Sequence, residues 1–264
     1  MKKNIYLLLI FTFWYSPVLA SEWDITIGLQ GQSFNYRELD EQAGTLLSEN
    51  GFIPGLDLSL SYHQQPFFLS TQIHYVKGSV DYDGQTQSGI PLTTTTKSEL
   101  GSWYSSAGWN IEDNVAVLLR LSEHYWDRDI QATNTTGNLF ERYSWNQAGV
   151  GLQIRHDINP KSIIRLHGVL SKTHKPQVLV DLRPYGGENV LLELGTETSI
   201  ELGSEWLYKM SPSFALGLGA KYQKYRFEKS ESKTTSLNST SIGISEPSSK
   251  TELINLSLFL RFFL

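Results

Sequence analysis

Residues 252–264 constrain this chain more than any other stretch. Every even position from Ile254 to Leu264 is apolar, while the odd positions include Asn255, Ser257 and Arg261. Successive side chains of a strand point to opposite faces, so this is a strand with one greasy side and one mixed side. The pattern recurs upstream. Trp23, Ile25, Ile27 and Leu29 oppose Asp24, Thr26, Gly28 and Gln30, and Leu56, Leu58, Leu60 and Tyr62 oppose Asp57, Ser59, Ser61 and His63. Further alternating runs lie at 67–75, 103–109, 115–124, 147–155, 164–171, 197–208 and 214–222. With the last strand this makes about ten, each near the roughly 9–11 residues that cross an outer membrane at a tilt.

The connections set the topology. Tight turns at 63–66, 110–114, 156–160 and 210–213 alternate with long polar segments at 37–50, 77–97, 127–138, 172–195 and 228–250. A soluble barrel would show the same alternation with its apolar face turned inward. Lipid around the sheet is favoured by the short/long rhythm and by the apolar closing strand. It is also favoured by the Trp and Tyr residues near strand ends: Tyr62, Tyr75, Trp103, Trp109, Tyr125, Trp206 and Tyr208. The expected fold is all-β, a transmembrane antiparallel up-and-down β-barrel of about ten strands, with short periplasmic turns and long extracellular loops. At the other end, Lys2 and Lys3, an apolar run from Tyr6 to Tyr15 and Val18-Leu19-Ala20 form a secretory signal. Residues 1–20 are then a cleaved signal peptide and 21–264 one barrel domain, addressed to the outer membrane of a Gram-negative bacterium.

The chain has no cysteine, and its formal net charge is −5 without any basic block, which argues against nucleic acid as a partner. No motif calls for a cofactor or a metal. A Lys or Arg facing lipid at mid-bilayer costs about 2–4 kcal/mol. Arg120, Arg155, Arg165, Lys221 and Arg261 are therefore expected to point into the lumen, joined by Glu99, Glu141, Glu197, Glu201 and Glu205 as counter-charges. Side chains largely fill a barrel of about eight to ten strands, so a polar core is favoured over a narrow small-solute pore.

Chemistry, if present, belongs to the outer rim. Asp81 and Asp83, one residue apart, are candidates for polarising a water as a general base, with His124 and Asp127 at the top of the fifth strand as partners. The bland alternative is a turn signal at Asp83-Gly84 and solvated loop charges. No GxSxG or HExxH occurs. The segment 31–38 (Gly-Gln-Ser-Phe-Asn-Tyr-Arg-Glu), the acidic-x-acidic pair after strand three and the ten-strand plan together resemble the omptin outer-membrane proteases. The resemblance implies that Asp81 and Asp83 match that family's first aspartate pair. The family's Asp-x-His in the fourth outer loop is not found, since 172–195 offers only His174 and Asp181. The last strand resembles the closing strand of bacterial outer-membrane barrels, which implies recognition by the barrel assembly machinery. Raised hairpins flanking Pro184-Tyr185-Gly186-Gly187 could meet lipopolysaccharide or another surface ligand.

Overall fold

The computed structural model describes residues 22–40, 44–85, 89–134, 136–238 and 240–264. The signal segment expected at 1–20 lies outside the described residues. The strands are β1 (Glu22–Asp40), β2 (Gly44–Gln64), β3 (Phe67–Gln85), β4 (Pro91–Glu112), β5 (Val115–Ile130), β6 (Leu139–Asn159), β7 (Ser162–Asp181), β8 (Asn189–Glu193), β9 (Gly195–Thr196), β10 (Thr198–Lys209), β11 (Phe214–Glu228), β12 (Lys233–Leu237), β13 (Thr240–Ile244) and β14 (Ser248–Phe263). Each long strand pairs antiparallel with the next, and β14 pairs with both β11 and β1, which closes a ten-stranded barrel from β1–β7, β10, β11 and β14. Leu258 lies opposite Leu29 on one side and Leu218 on the other.

A belt of apolar side chains faces outward all round. Ile27, Leu56, Ile73, Leu119, Leu152, Leu170, Leu202, Leu218 and Leu256 are all exposed on the barrel wall. A continuous aliphatic belt of this kind is the surface that lipid covers. Within it the inward residues are mostly polar, with small apolar clusters at Phe68, Ala116, Leu118 and Val169 and at Ile163, Leu207, Ala215 and Phe259. Gly217 sits where the Phe259 ring crosses the inner wall, and a Cβ there would lie 2.3 Å from that ring.

The strands do not stop at the belt. β2 has 21 residues and β4 has 22, about twice what a crossing needs. Above the belt the two faces exchange character. On β3, Lys77, Ser79, Asp81 and Asp83 continue the outward face that carried Ile73 and Tyr75, while Val76, Val80 and Tyr82 are buried inside. Phe34, Tyr36, Ile53, Trp126, Tyr143, Val178, Leu192 and Phe227 complete an apolar core there. Trp126 stacks on Tyr143 at 4.8 Å and meets Tyr36 edge-on at 4.9 Å. Burying each such side chain stabilises by about 1.5–3 kcal/mol, so this upper storey is held together as a soluble barrel would be.

Two hairpins lean over the mouth. β7 kinks at Lys175 (φ 47°), so that Thr173 and Pro176 both turn inward, and its continuation pairs with β8. Val178, Val180, Leu182, Val190, Leu192 and Leu194 deliver that hairpin into the core. A one-turn helix (Arg183–Tyr185) reverses the chain, with Gly186 at φ 76° closing it. β12 and β13 form the second hairpin, and Ile244 anchors it in the same core. The long polar segments expected as loops are therefore mostly strand. Their polar residues mark the outer, watered face of a sheet whose inner face has become apolar.

Candidate functional site

Within the membrane belt the lumen is a crossed network of charges. Asp24, Asp57, Glu201 and Glu205 face Arg120, Arg165, Lys221 and Arg261. Arg261 donates from Nη2 to Glu205 Oε2 at 3.0 Å and from Nε to Thr26 Oγ1 at 2.9 Å. Glu201 accepts from Arg120 and, at 2.8 Å, from Gln223 Nε2, and lies 3.0 Å from His167 Nε2. His74 sits between Asp57 Oδ1 (3.1 Å) and Gln32 Oε1 (3.2 Å). His124 bridges the hydroxyls of Ser102 and Ser122, both at 2.8 Å, and stacks on Trp145 at 5.0 Å. A cavity of about 30 Å³ lies beside His124 and Tyr104, a second of about 160 Å³ lies below it, and a third of about 290 Å³ lies at the periplasmic mouth.

The upper storey hides a second cluster. Arg128 is fully buried and bonds Glu49 Oε1 (2.9 Å), Glu38 Oε1 (3.0 Å) and Glu141 Oε2 (2.6 Å), with the ring of Tyr36 5.1 Å from its guanidinium carbon. Glu246, just after β13, takes hydrogen bonds from the hydroxyls of Tyr143 and, at 3.5 Å, Tyr36. Four carboxyl groups thus converge around one guanidinium. Burial, then the facing Glu38 and Glu141, push the Glu246 carboxyl well above the ordinary range, and burial also raises Glu38 and Glu49. Among the described residues no group of His, Asp and Glu has the geometry to hold a metal ion.

The catalytic residues expected from sequence do not converge. Asp81 and Asp83 are exposed on the outer wall, paired across the sheet with Thr95 and Thr93. His124 points into the lumen, and Asp127 points outward, where it holds Arg142. Strand parity separates them, because odd positions of β3 and β5 face out and even positions face in. The expected lumen set needs correcting in the same way. Arg120, Arg165, Glu201, Glu205, Lys221 and Arg261 line the lumen, while Glu141 belongs to the upper cluster. Arg155 sits at the periplasmic rim with Asp157 (2.8 Å). Glu99 lies outside and bonds Lys77 at 2.9 Å, because it shares the outward parity of Trp103. Glu197 occupies the gap between β9 and β10, where its carbonyl accepts from the Thr173 N–H.

Just above the belt, the outer wall carries two unlike collars. On β3 to β6, Lys77, Glu99, Asp127 and Arg142 lie side by side in register, with an ion pair at each end. On β1, β14 and β11, Arg37, Lys250 and Arg226 lie side by side, three cations in a row. One row below, Lys224 and Lys250 both reach Glu252, at 3.8 Å and 2.9 Å. Like charges directly opposite one another on a sheet face are destabilising, so the second collar repels itself.

Neither the family models nor the curated proteins give a match to this chain. Solved structures do. The outer membrane protease OmpT from Escherichia coli superposes with a TM-score of 0.59 over 92% of this chain and 96% of that one, at 11% identity. The outer membrane protein OprG from Pseudomonas aeruginosa matches with a TM-score of 0.41 over 93% and 96%, at 8% identity. This is an outer-membrane β-barrel with an omptin-like fold. At such identity the likeness reaches the fold, not its chemistry.

The outer-membrane barrel holds functional candidates that periodicity did not mark. Arg37, Lys250, Glu38, Glu49, Arg128 and Glu246 fall in segments that looked like loops, and Arg226 lies just past the run at 214–222. Only their alternation with Phe34, Tyr36, Leu47, Trp126 and Phe227 could have placed them on a sheet.

Proposed function

We propose that the protein is a closed, surface-anchored barrel that binds lipopolysaccharide on its outer wall, with a side-chain-filled polar lumen that does not conduct. The observation that carries this reading is the row Arg37, Lys250 and Arg226, next to Lys224, with Glu252 reached by the two lysines. Lys250 stands four residues beyond Ile254, the last apolar outward residue of β14. At about 3.4 Å per residue on a tilted strand that is about 10 Å above the hydrocarbon, the level of headgroup phosphates. Phosphate accepts charge-assisted bonds from both Arg and Lys and relieves the row's self-repulsion. Replacing Arg37, Arg226 and Lys250 together by Gln is expected to lower the lipopolysaccharide retained by the purified barrel at least tenfold. The same change at Lys77 and Arg142 is expected to leave it unaltered, and equal retention in both variants would reject the reading.

The closed lumen rests on the upper core, which caps the cavities below it with Trp126, Trp145, Phe227 and the two hairpins. The barrel is accordingly expected to be silent in planar bilayers at neutral pH. Stepwise conductance would restore the pore reading.

A further inference from the structure

The lower end of the lumen contains a chamber that the lipopolysaccharide reading leaves unused. It has a volume of about 290 Å³, lies at the periplasmic mouth and has two different walls. Ile163, Leu207, Ala215 and Phe263 make one wall apolar, and three of them pack with Phe259 as a small core of their own. Across from them stand Glu22, Asp24, His63, Asn110, Arg155 and Arg165. The size is near the lower end of small-molecule sites, and a few polar groups set against an apolar wall is their usual composition.

Arg165 decides the sign of the ligand. The acids within its reach are already engaged: His63 Nε2 lies 3.0 Å from Asp24 Oδ2, and Arg261 takes Glu205 at 3.0 Å and approaches Asp24 at 3.6 Å. Arg165 feels the charges of Glu205 and Asp24 but makes no hydrogen bond and no close ion pair among the described residues, and it lines both this chamber and the deeper one of about 160 Å³. A planar guanidinium whose N–H groups no side chain engages, in a cavity walled off from lipid, matches a carboxylate in bidentate geometry. Lys209 stands on the same rim and adds a second cation on the way in. Arg155 adds less, because Asp157 holds it. The opening faces the periplasm, and the upper core closes the other route.

We infer that this chamber is a periplasm-facing binding site for a small carboxylate with an apolar body, its headgroup on Arg165 and its body against Ile163, Leu207 and Phe263. The site is independent of the outer collar, and its test in lipopolysaccharide-free detergent micelles does not depend on that reading.

The probe is benzoate, titrated calorimetrically into the folded barrel, with benzyl alcohol as its uncharged counterpart and inorganic phosphate as an anion without an apolar body. Saturable benzoate binding is expected, weakened at least tenfold in Arg165→Gln and about threefold in Lys209→Gln, with benzyl alcohol and phosphate both much weaker. Heat-modifiable gel migration checks that each variant is folded. If Arg165→Gln does not assemble, Arg165→Lys keeps the charge without the fork, and intermediate affinity is expected there. Absence of saturable benzoate binding, equal binding of benzyl alcohol, or affinity unchanged in the folded Arg165 variant each overturns the inference.

Discussion

Deleting Ser257 from β14 is expected to abolish assembly of the barrel, while deleting Ser257 and Leu258 together is expected to leave most of it intact. A strand has a period of two, so losing one residue turns everything beyond it to the other face. Leu258, Leu260 and Phe262 would enter the lumen, and Arg261 would enter lipid. Arg261 now bonds Glu205 and Thr26 and is 5% exposed. Breaking a buried ion pair costs about 3–5 kcal/mol. Exposing an arginine to lipid adds up to about 2–4 kcal/mol, depending on depth. Together these are comparable to the whole stability of a domain of ordinary size. Losing two residues keeps the parity and moves the strand by one pleat. The measurement is heat-modifiable migration of outer-membrane fractions carrying each deletion. A folded band from the single deletion would show that the facing assigned to β14 is wrong.

Replacing Arg128 by Met is expected to destabilise the upper storey by about 3–5 kcal/mol while the membrane belt stays folded. The side chain is 1% exposed, and its loss would leave Glu38, Glu49 and Glu141 packed together with no cation. The effect is to be read as faster protease cleavage of the extracellular half on intact cells, with heat-modifiability retained. The pH dependence has a definite sign. Burial raises the proton affinities of Glu246, Glu38 and Glu49 above their ordinary range. A carboxyl raised in the folded state contributes stability that is complete below its ordinary range and is lost as pH climbs through the folded value. The mouth is therefore tightest in acid and loosens toward alkali. Glu246→Gln keeps the oxygen that accepts from Tyr143 but carries no proton to lose, so its cleavage rate is expected to vary less with pH. A profile as steep as that of the unaltered protein would exclude Glu246 as the main source.

The membrane half of the fold was legible because lipid demands an apolar face at every second residue. The alternations at 23–29, 56–62 and 254–264 lie on strands of the expected facing. The upper half was legible only in principle. Along β3 the outward apolar positions are 67, 69, 73 and 75, and above them the apolar positions are the inward 76, 80 and 82, so the greasy parity slips by one while the backbone does not. A reader following one phase sees the pattern end near Lys77 and takes Asp81 and Asp83 for loop residues. The same slip hid Arg128, which follows Trp126 on the inward face, and Glu38, which follows Phe34 and Tyr36. Glu99 was misplaced for a simpler reason. Its charge suggested the lumen, and its odd number on the strand of Trp103 and Trp109 did not.

The exchange of faces halfway up the wall also bears on how this chain travels. Before β14 meets β1 there is no inside, and the sheet shows grease low on one surface and high on the other. Ile27 and Leu258 wait for lipid, while Phe34, Trp126 and Phe227 wait for one another. Lipid can take the first set as soon as the strands arrive. The second set stays wet until the seam closes and both hairpins fold over. An unfinished barrel of this kind is adhesive on both sides at once, so the interval before the seam closes is when the chain is most prone to aggregate.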